Sequence, residues 1–337
     1  MRLLVLGGTI FVGHAVAAEG VRRGHEVVCA ARGESGSVPA GATLVRVDRN
    51  AEDGLAPLAG QDFDAVVDVS PLSYPWVERA LRALGERVGH WSFVSTISVY
   101  ADNATPGLTP ETGPLVPALT EHSDREQMAA RGGEDGVLLY GGIKVASENA
   151  VRAAMGDRAL VTRPGLITGA GDRSDRFGYW PARFARGGRV LVPDTPELPM
   201  QYIDVRDYAR WLLDAAERGL TGTFDAVGPA QPLPDLVAGI REAVGVDVEP
   251  VPATAEQLVE AKVEPWGGPR SLPLWLPPEF LGMGAHDPTP ALEAGLRVRP
   301  LDEAVADALE RERELGLDRP RRAGLSPQEE QEVLAKL

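Results

Sequence analysis

The sequence predicts an α/β fold: a doubly wound parallel sheet with helices on both faces, followed by a smaller C-terminal domain. Short apolar runs alternate with segments of helical periodicity through residues 1–165. The first apolar run ends in a glycine-rich turn that leads directly into a helix. After Gly165 the alternation weakens, and Pro, Gly and Trp become frequent. We therefore expect one domain at residues 1–165 and a second at residues 166–337, with residues 200–230 returning to the first.

The strands and helices of the first domain follow from local pattern. Short runs rich in Val, Leu and Ala predict strands at Leu3–Leu6, Glu26–Ala31, Thr43–Val47, Asp64–Val69, Trp91–Ser95 and Ala159–Thr162. Apolar residues spaced three and four apart predict helices at Val12–Arg23, Trp76–Val88 and Ile143–Met155. The stretch from Ala101 to Gly136 is rich in turn residues and charge, and it contains no clear strand.

The second half is patterned less regularly. Helical periodicity predicts helices at Arg206–Arg218, Leu236–Val244 and Asp302–Leu315, and we expect a strand at Thr223–Ala226. Ser326 to Glu329 forms a capping-box pattern, so a last helix is expected to begin there. The segment Pro250–Pro290 has the composition of a lid or pocket wall.

Composition and charge limit the classes of partner. The chain has 337 residues, 44% hydrophobic and 25% charged, with a formal net charge of −15. That charge repels polyanions, so we expect a small-molecule partner rather than nucleic acid or an anionic membrane. Cys29 is the single cysteine, which excludes an intramolecular disulfide and fits a cytoplasmic location. Glycines interrupt the apolar N-terminus, so we expect no signal peptide, and no apolar run reaches the ~20 residues of a membrane span.

The glycine-rich turn predicts a dinucleotide site, because it lies between the first strand and the first helix, where a pyrophosphate binds at a helix N-terminus. Ile10 is atypical, since many such turns carry glycine there. His14 and Ala15 replace the Lys-Ser/Thr pair of a P-loop, which excludes a nucleotide triphosphatase. The alternative is a glycine turn without a ligand. The expected cofactor contacts are Gly7, Gly8, Thr9, Ile10, Phe11, Val12 and Gly13.

The end of the second strand indicates which dinucleotide is preferred. A carboxylate there binds the ribose 2′-hydroxyl of NAD, whereas an arginine suits the 2′-phosphate of NADP. This strand ends in Ala31 and Arg32 without a carboxylate. We therefore predict NADP(H), with NAD(H) as the alternative; Arg32 is otherwise a solvated strand-end charge. Asp48 either hydrogen-bonds the adenine amino group or is a turn residue.

Tyr140 and Lys144 are four residues apart, so both project from one helix face. A free phenol has a pKa near ~10, which is too high for easy proton exchange at neutral pH. A neighbouring ammonium favours the phenolate and lowers that pKa. The pair therefore predicts a tyrosine that serves as a general acid or base.

The sequence resembles the extended short-chain dehydrogenase/reductase superfamily, the NAD-dependent epimerase/dehydratase family, and its atypical members above all. Matching segments run in order from residue 1 to about 230. They are the turn Gly7–Gly13, Asp64–Ser70, Phe93–Tyr100, Tyr140–Lys144, Arg163–Gly165 and Gln201–Asp207. The resemblance implies a Rossmann fold with a C-terminal substrate-binding domain, and a homodimer.

The resemblance also implies roles for single residues. Tyr140 would exchange the proton at the reacting oxygen, Lys144 would hold the nicotinamide ribose, and Thr96 would hydrogen-bond the substrate oxygen. Ser70 and Pro164 would lie at the cofactor. Ser95 and Ser98 are the neighbouring candidates for substrate contact; without the resemblance these hydroxyls are ordinary strand-end groups bonded to the backbone.

Residues Asp175 to Arg183 combine aromatic and basic side chains in a way that suits a flat or anionic substrate. Phe177, Trp180 and Arg183, with Arg176, are the candidates; the alternative is an aromatic hinge between domains. The histidines have no metal-ligand spacing, and neither a Gly-x-Ser-x-Gly elbow nor a His-Glu-x-x-His motif occurs. We therefore expect no metal and no hydrolase chemistry.

Together these features predict an NADP(H)-preferring oxidoreductase that moves a hydride between nicotinamide and a carbonyl or secondary alcohol. The first alternative is a sugar-nucleotide epimerase/dehydratase that retains its cofactor. The second is a non-catalytic dinucleotide- or RNA-binding protein, which the Tyr140–Lys144 pair and the negative charge disfavour.

Overall fold

The computed structural model describes residues 1–131 and 133–337. The strands are β1 (Arg2–Leu6), β2 (Glu26–Ala31), β3 (Thr43–Arg46), β4 (Phe63–Asp68), β5 (Val88–Val94), β6 (Ala159–Pro164), β7 (Leu166–Thr168), β8 (Gly188–Pro193), β9 (Pro199–Met200), β10 (Tyr202–Asp204), β11 (Gly222–Ala226), β12 (Gln231–Pro232), β13 (Val248–Ala253), β14 (Glu264–Trp266), β15 (Gly268–Pro269), β16 (Ser271–Pro273) and β17 (Ala323–Gly324). The α-helices are α1 (Phe11–Arg22), α2 (Tyr74–Leu84), α3 (Arg125–Arg131), α4 (Gly133–Met155), α5 (Arg176–Ala185), α6 (Val205–Arg218), α7 (Leu233–Val244), α8 (Ala255–Glu260), α9 (Thr289–Glu293), α10 (Leu301–Leu315) and α11 (Pro327–Leu334).

Seven parallel strands form the central sheet in the order β11-β6-β5-β4-β1-β2-β3. In the middle of the sheet, Val5 is paired with Cys29 on one side and Val67 on the other. The chain moves outward from β1 to β3 and then returns to β4, so the direction of winding reverses between β1 and β4. The carboxyl ends at this reversal are where open α/β sheets bind ligands. The predicted doubly wound parallel sheet is confirmed.

The two largest differences in helix boundaries concern the end of α2 and the start of α4. α2 ends at Leu84, because Gly85–Arg87 forms a 3₁₀ turn and β5 already begins at Val88. α4 begins at Gly133, ten residues before the predicted start at Ile143. It runs through Gly141 and Gly142, where an added Cβ would collide with the Ser98 carbonyl and the Leu119 side chain. The two glycines thus permit close packing of α4, which outweighs their low helix propensity.

Hydrophobic clusters lie on both faces of the central sheet, and a third core lies in the C-terminal part of the chain. This C-terminal core packs α5, α7 and α10 together with β8, which pairs in parallel with β13. Between these parts, the chain returns to the first layer: α6 packs against α1, and β11 pairs with β6. Within the described residues, no helix combines the length and apolarity that a membrane span needs.

Candidate active site

The turn after β1 fits closely beneath neighbouring side chains. Gly7 has φ 119°, and a Cβ there would lie 2.5 Å from Val69 Cγ2. A Cβ on Gly8 would lie 2.8 Å from the Cβ of Cys29. A Cβ on Gly13 would lie 3.1 Å from the Gly8 Cα. Glycine at these positions therefore lets the backbone of this turn, called the cradle below, pack closely against Val69, Cys29 and the start of α1.

Ile10 immediately precedes α1 and has extended backbone, and its side chain makes no capping hydrogen bond. The first amides of α1 therefore have no side-chain cap, which suits a bound anion. The Ile10 side chain packs towards Gly36, whose added Cβ would lie 3.1 Å from Ile10 Cγ2 and 2.5 Å from the Thr9 carbonyl oxygen. The atypical isoleucine thus packs the glycine turn against the loop that follows β2.

Arg32 lies just past the end of β2 with half of its side chain exposed, 3.4 Å from the Glu34 carboxylate. Its carbonyl oxygen accepts a hydrogen bond of 2.8 Å from the Arg46 guanidinium. Two cations therefore lie at this strand end. Asp48 is exposed and accepts a hydrogen bond of 3.0 Å from the Asn50 amide, which is the contact of a turn residue.

Tyr140 and Lys144 both lie on α4. The Lys144 ammonium is 5.9 Å from the centroid of the Tyr140 ring. It donates hydrogen bonds of 2.7 Å to the Ser70 carbonyl and 2.6 Å to the Val94 carbonyl. Because these carbonyls follow β4 and end β5, the lysine is fixed at the carboxyl edge of the sheet. Tyr140 is half-buried one turn earlier.

Burial changes the chemistry of Lys144. Its side chain is buried, and desolvation lowers the pKa of its ammonium to about 8. The carboxylates of Asp68 and Glu148 act in the opposite direction. Asp68 is already paired with Arg49 at 3.0 Å. Lys144 is thus a buried cation whose hydrogen bonds go to backbone carbonyls.

Ser70 presents a polar atom to the same edge of the sheet. Its hydroxyl is buried and has no hydrogen-bond partner. A buried hydroxyl without a partner is unfavourable unless a ligand or water satisfies it. With the cradle of Gly7, Gly8 and Gly13, this residue fits a dinucleotide lying across the ends of β1 and β4. Pro164 ends β6 and is buried in register with Ala226.

The hydroxyls after β5 differ in what they contact. Thr96 precedes the 3₁₀ turn Ile97–Val99, and its hydroxyl accepts a 3.2 Å hydrogen bond from the Ser98 amide. The same hydroxyl lies 3.3 Å from Ser98 Oγ. This turn packs against α4 through Val145. The Ser95 hydroxyl instead donates a 2.6 Å hydrogen bond to Glu148. The Ser95 hydroxyl is therefore held by a side chain of α4, whereas the Thr96 hydroxyl bonds within the turn that it precedes.

A buried network below this site was not foreseen from the sequence. Arg163 donates hydrogen bonds of 3.0 and 2.7 Å to the two Glu148 oxygens, and one of 3.0 Å to the Tyr100 hydroxyl. Tyr100 in turn donates to Asp225 at 2.8 Å. Burial opposes ionisation of Glu148, but the hydrogen bonds from Arg163 and Ser95 lower its pKa on balance. The signal available in the sequence was a glutamate one turn after Lys144, on the buried face of a helix.

The structure places three predicted substrate residues in the C-terminal core. Phe177 and Trp180 are fully buried, and the Trp180 indole donates a 3.0 Å hydrogen bond to the Pro273 carbonyl. Arg183 forms an ion pair of 2.5 Å with Glu330. It also donates to the carbonyls of Gly187 and Arg189. The hydrogen bonds of Trp180 and Arg183 are thus used within the protein.

Comparison with known sequences identifies the family. The NAD dependent epimerase/dehydratase family matches residues 3–225 of this chain. The chain belongs to that family. The predicted resemblance is confirmed, and family membership makes the protein an NAD(P)-dependent enzyme. No curated protein sequence matches the chain.

Solved structures of epimerases share the fold. A UDP-N-acetylglucosamine 4-epimerase from Bacillus cereus is 16% identical with a TM-score of 0.66, over 95% of this chain and 99% of that one. A UDP-glucuronic acid 4-epimerase from Bacillus cereus, in complex with NAD, is 13% identical with a TM-score of 0.66, over 96% and 100%. A UDP-glucose 4-epimerase from Thermus thermophilus, also in complex with NAD, is 18% identical with a TM-score of 0.64, over 93% and 99%. At such identities the likeness shows the fold alone.

Proposed function

We propose that this family member is an NADP(H)-preferring oxidoreductase acting on a carbonyl or secondary alcohol of a small molecule. One observation carries the proposal: Tyr140 lies one helical turn before a buried Lys144 whose ammonium is held by the carbonyls of Ser70 and Val94. This arrangement supports a phenol and a cation acting together at the carboxyl edge of the sheet, where β5 ends and Thr96 follows.

The cofactor would be held by the cradle already described. Gly7, Gly8 and Gly13, with the uncapped start of α1, suit the pyrophosphate. The unpartnered Ser70 hydroxyl would supply a hydrogen bond to a ribose. When bound, the nicotinamide supplies two-electron chemistry as donor or acceptor of a hydride.

The protein's own groups would handle the proton and the oxygen. During reduction Tyr140 gives its phenolic proton to the substrate oxygen, and during oxidation it takes that proton back. The Lys144 cation stabilises the phenolate that results. Thr96 donates a hydrogen bond to the same substrate oxygen and so stabilises its developing charge.

Replacing the phenolic hydroxyl tests the proposal. We expect Tyr140→Phe to lose at least about 10²-fold in NADPH oxidation across a panel of carbonyl compounds, the usual contribution of general acid–base catalysis. Binding of NADPH, followed by fluorescence titration, should stay within a factor of about two of the parent. Tyr74→Phe is the matched control, since Tyr74 lies on α2 and its hydroxyl donates to Glu78 at 3.4 Å. Equal turnover in Tyr140→Phe and the parent would remove the tyrosine from the mechanism.

The coenzyme preference rests on Arg32 and has its own test. In this proposal the half-exposed Arg32 guanidinium, which lies 3.4 Å from Glu34, would instead meet a 2′-phosphate, with Arg46 beside it. We expect Arg32→Ala to weaken NADPH binding by about tenfold or more and NADH binding by less than about twofold, because a charge-assisted contact would be lost only for NADPH. Equal weakening of both coenzymes would contradict the 2′-phosphate role.

A second candidate is an epimerase/dehydratase that retains its cofactor. It is favoured by the loop after β7, which closes over the glycine turn: a Cβ on Gly171 would lie 3.3 Å from the Phe11 Cα. In the same loop, Arg173 donates a 2.9 Å hydrogen bond to the Ser35 carbonyl. Such enclosure slows cofactor release. Nicotinamide absorbance that survives purification and dialysis would favour this candidate, and its loss would favour the reductase.

A further inference from the structure

Arg176 is the first residue of α5, and the loop that precedes it touches the glycine turn. That loop leaves β7 at Thr168 and lies against Phe11 at Gly171. Arg176 therefore follows, within five residues, a segment that borders the predicted dinucleotide site. Arg176 thus begins a helix of the C-terminal part of the chain, directly after a loop that contacts the glycine turn.

The environment of Arg176 lacks an ion-pair partner. Its guanidinium carbon lies 4.7 Å from the centroid of the Trp266 ring, a cation–π contact. Its Nε is buried without a hydrogen-bond partner. Among the ion pairs within residues 1–131 and 133–337, none includes Arg176. A guanidinium has five N–H donors, and among the described residues the donor on the buried Nε lacks an acceptor.

Nearby anions do not meet that need. The Asp172 carboxylate is bound by the amide and hydroxyl of Ser174, at 2.8 and 2.9 Å. Burial lowers the pKa of Arg176, while the charges of Asp172 and of Tyr140 act in the opposite direction. The loop that precedes Arg176 in sequence contacts Phe11, at the glycine turn.

The backbone that holds Arg176 is constrained on both sides. Asp175, directly before it, has φ 62°, and Trp266, beneath it, has φ 65°. Left-handed backbone at a non-glycine residue costs about 1–2 kcal/mol, and such residues cluster at functional sites. Asp175 is held there by Arg319 and by the Arg322 amide, which donates 2.8 Å to its carboxylate. The backbone at Arg176 is thus held by the hydrogen bonds of the preceding residue, Asp175, and not by contacts of the Arg176 guanidinium.

We propose that Arg176 binds a carboxylate of the substrate, so that the enzyme acts on small organic acids. One planar guanidinium pairs with one carboxylate through two parallel hydrogen bonds, which would satisfy the buried Nε. A phosphate dianion needs more positive charge, but the neighbouring Arg319 and Arg321 are already paired with Asp175 and Glu312. The placement of the substrate's reacting oxygen at Tyr140 rests on the proposed function; the anion site itself does not.

The test compares benzoate with benzamide, which has a similar shape but no charge, and with inorganic phosphate. Binding of benzoate, benzamide and inorganic phosphate to the full-length protein is measured by isothermal titration calorimetry, with and without NADP⁺. We expect benzoate to bind at least about tenfold more tightly than benzamide, the preference typical of a charge-assisted pair. In Arg176→Met the two should differ by less than about twofold, and Arg176→Lys should fall between. Arg189→Met is the charge-matched control, since Arg189 is exposed and 3.6 Å from Glu249.

Each outcome bears on the proposal. It is overturned if benzoate does not bind, if benzamide binds equally well, or if Arg176→Met keeps the preference with an unchanged circular dichroism spectrum. Tighter binding of phosphate than of benzoate, lost in Arg176→Met, would replace the carboxylate by a phosphate. Benzoate binding that depends on Arg176 in a protein that neither binds dinucleotide nor needs Tyr140 would refute the proposed function and leave the anion site standing.

Discussion

The helices α4 and α5 place their buried charges in the same order. On α4, Lys144 donates hydrogen bonds to backbone carbonyls and lies over aromatic rings, and Glu148, one turn later, is paired with Arg163. On α5, Arg176 has an unpartnered Nε, and Arg183, two turns later, is paired with Glu330. Among the described residues, the first of these charges on each helix has no carboxylate within salt-bridge distance, and the second is in an ion pair.

The difference separates charges that stabilise the fold from charges that are available to a ligand. A buried ion pair is satisfied by its own partner, so breaking it leaves an uncompensated charge. A buried cation without a carboxylate partner lowers stability, and it persists where function requires it. Unfolding measurements on variants of paired and unpaired charges test this distinction.

The largest effect on stability is expected for Arg183→Met. Its loss leaves Glu330 buried with only the Leu191 amide as a donor, so the free energy of unfolding should fall by about 3–5 kcal/mol. Urea denaturation followed by circular dichroism measures it. The double variant Arg183→Met/Glu330→Leu should regain much of the loss. A loss below about 1 kcal/mol would show that the pair is not structural.

A smaller, pH-dependent effect is expected at Lys144. Its folded pKa of about 8 lies below the unfolded value, so between about pH 8 and pH 10 the unfolded chain holds more protons. Stability from this group therefore rises with pH over that window, by about 2 kcal/mol. Lys144→Met should lack this rise when both proteins are unfolded in urea at the two ends of the window. Parallel pH dependences for the two proteins would contradict the depressed pKa.

The smallest effect is expected for Arg176→Met, the partner experiment to Arg183→Met on the same helix. The variant loses the cation–π contact with Trp266, but it also removes the buried Nε that lacks an acceptor. The free energy of unfolding should therefore change by less than about 1 kcal/mol. The same urea titration applies. A loss as large as that of Arg183→Met would place Arg176 among the structural charges and erase the distinction.

The central sheet could be predicted because its strands are continuous apolar runs, which parallel strands buried on both faces require. The small pairs β14–β16 and β15–β17 could not, because β14, β15 and β16 lie in a Pro- and Gly-rich stretch without periodicity, and β17 follows only after α10. There, backbone with positive φ at Lys262, Trp266 and Arg270 sets the path of the chain. Such conformations are imposed by packing, which local sequence does not reveal.

The cradle and the Tyr140–Lys144 helix could be predicted because their spacing is local. The sequence predicts a substrate contact for Arg183, and in the structure its side chain donates a hydrogen bond to Glu330, 147 positions later. Whether a charged residue is paired across such a separation is a property of the fold, so composition around Arg183 could not show it. The roles of these side chains in binding and catalysis stay predictions.

Cys29 lies beneath Gly8, fully buried, and desolvation raises the pKa of its thiol to about 12. Because it is the chain's single cysteine, a thiol-reactive dye can label only molecules in which the nucleotide cradle has transiently separated from β2. The rate of labelling therefore reports how often the glycine turn opens away from β2. A bound dinucleotide that holds the turn closed should lower this rate.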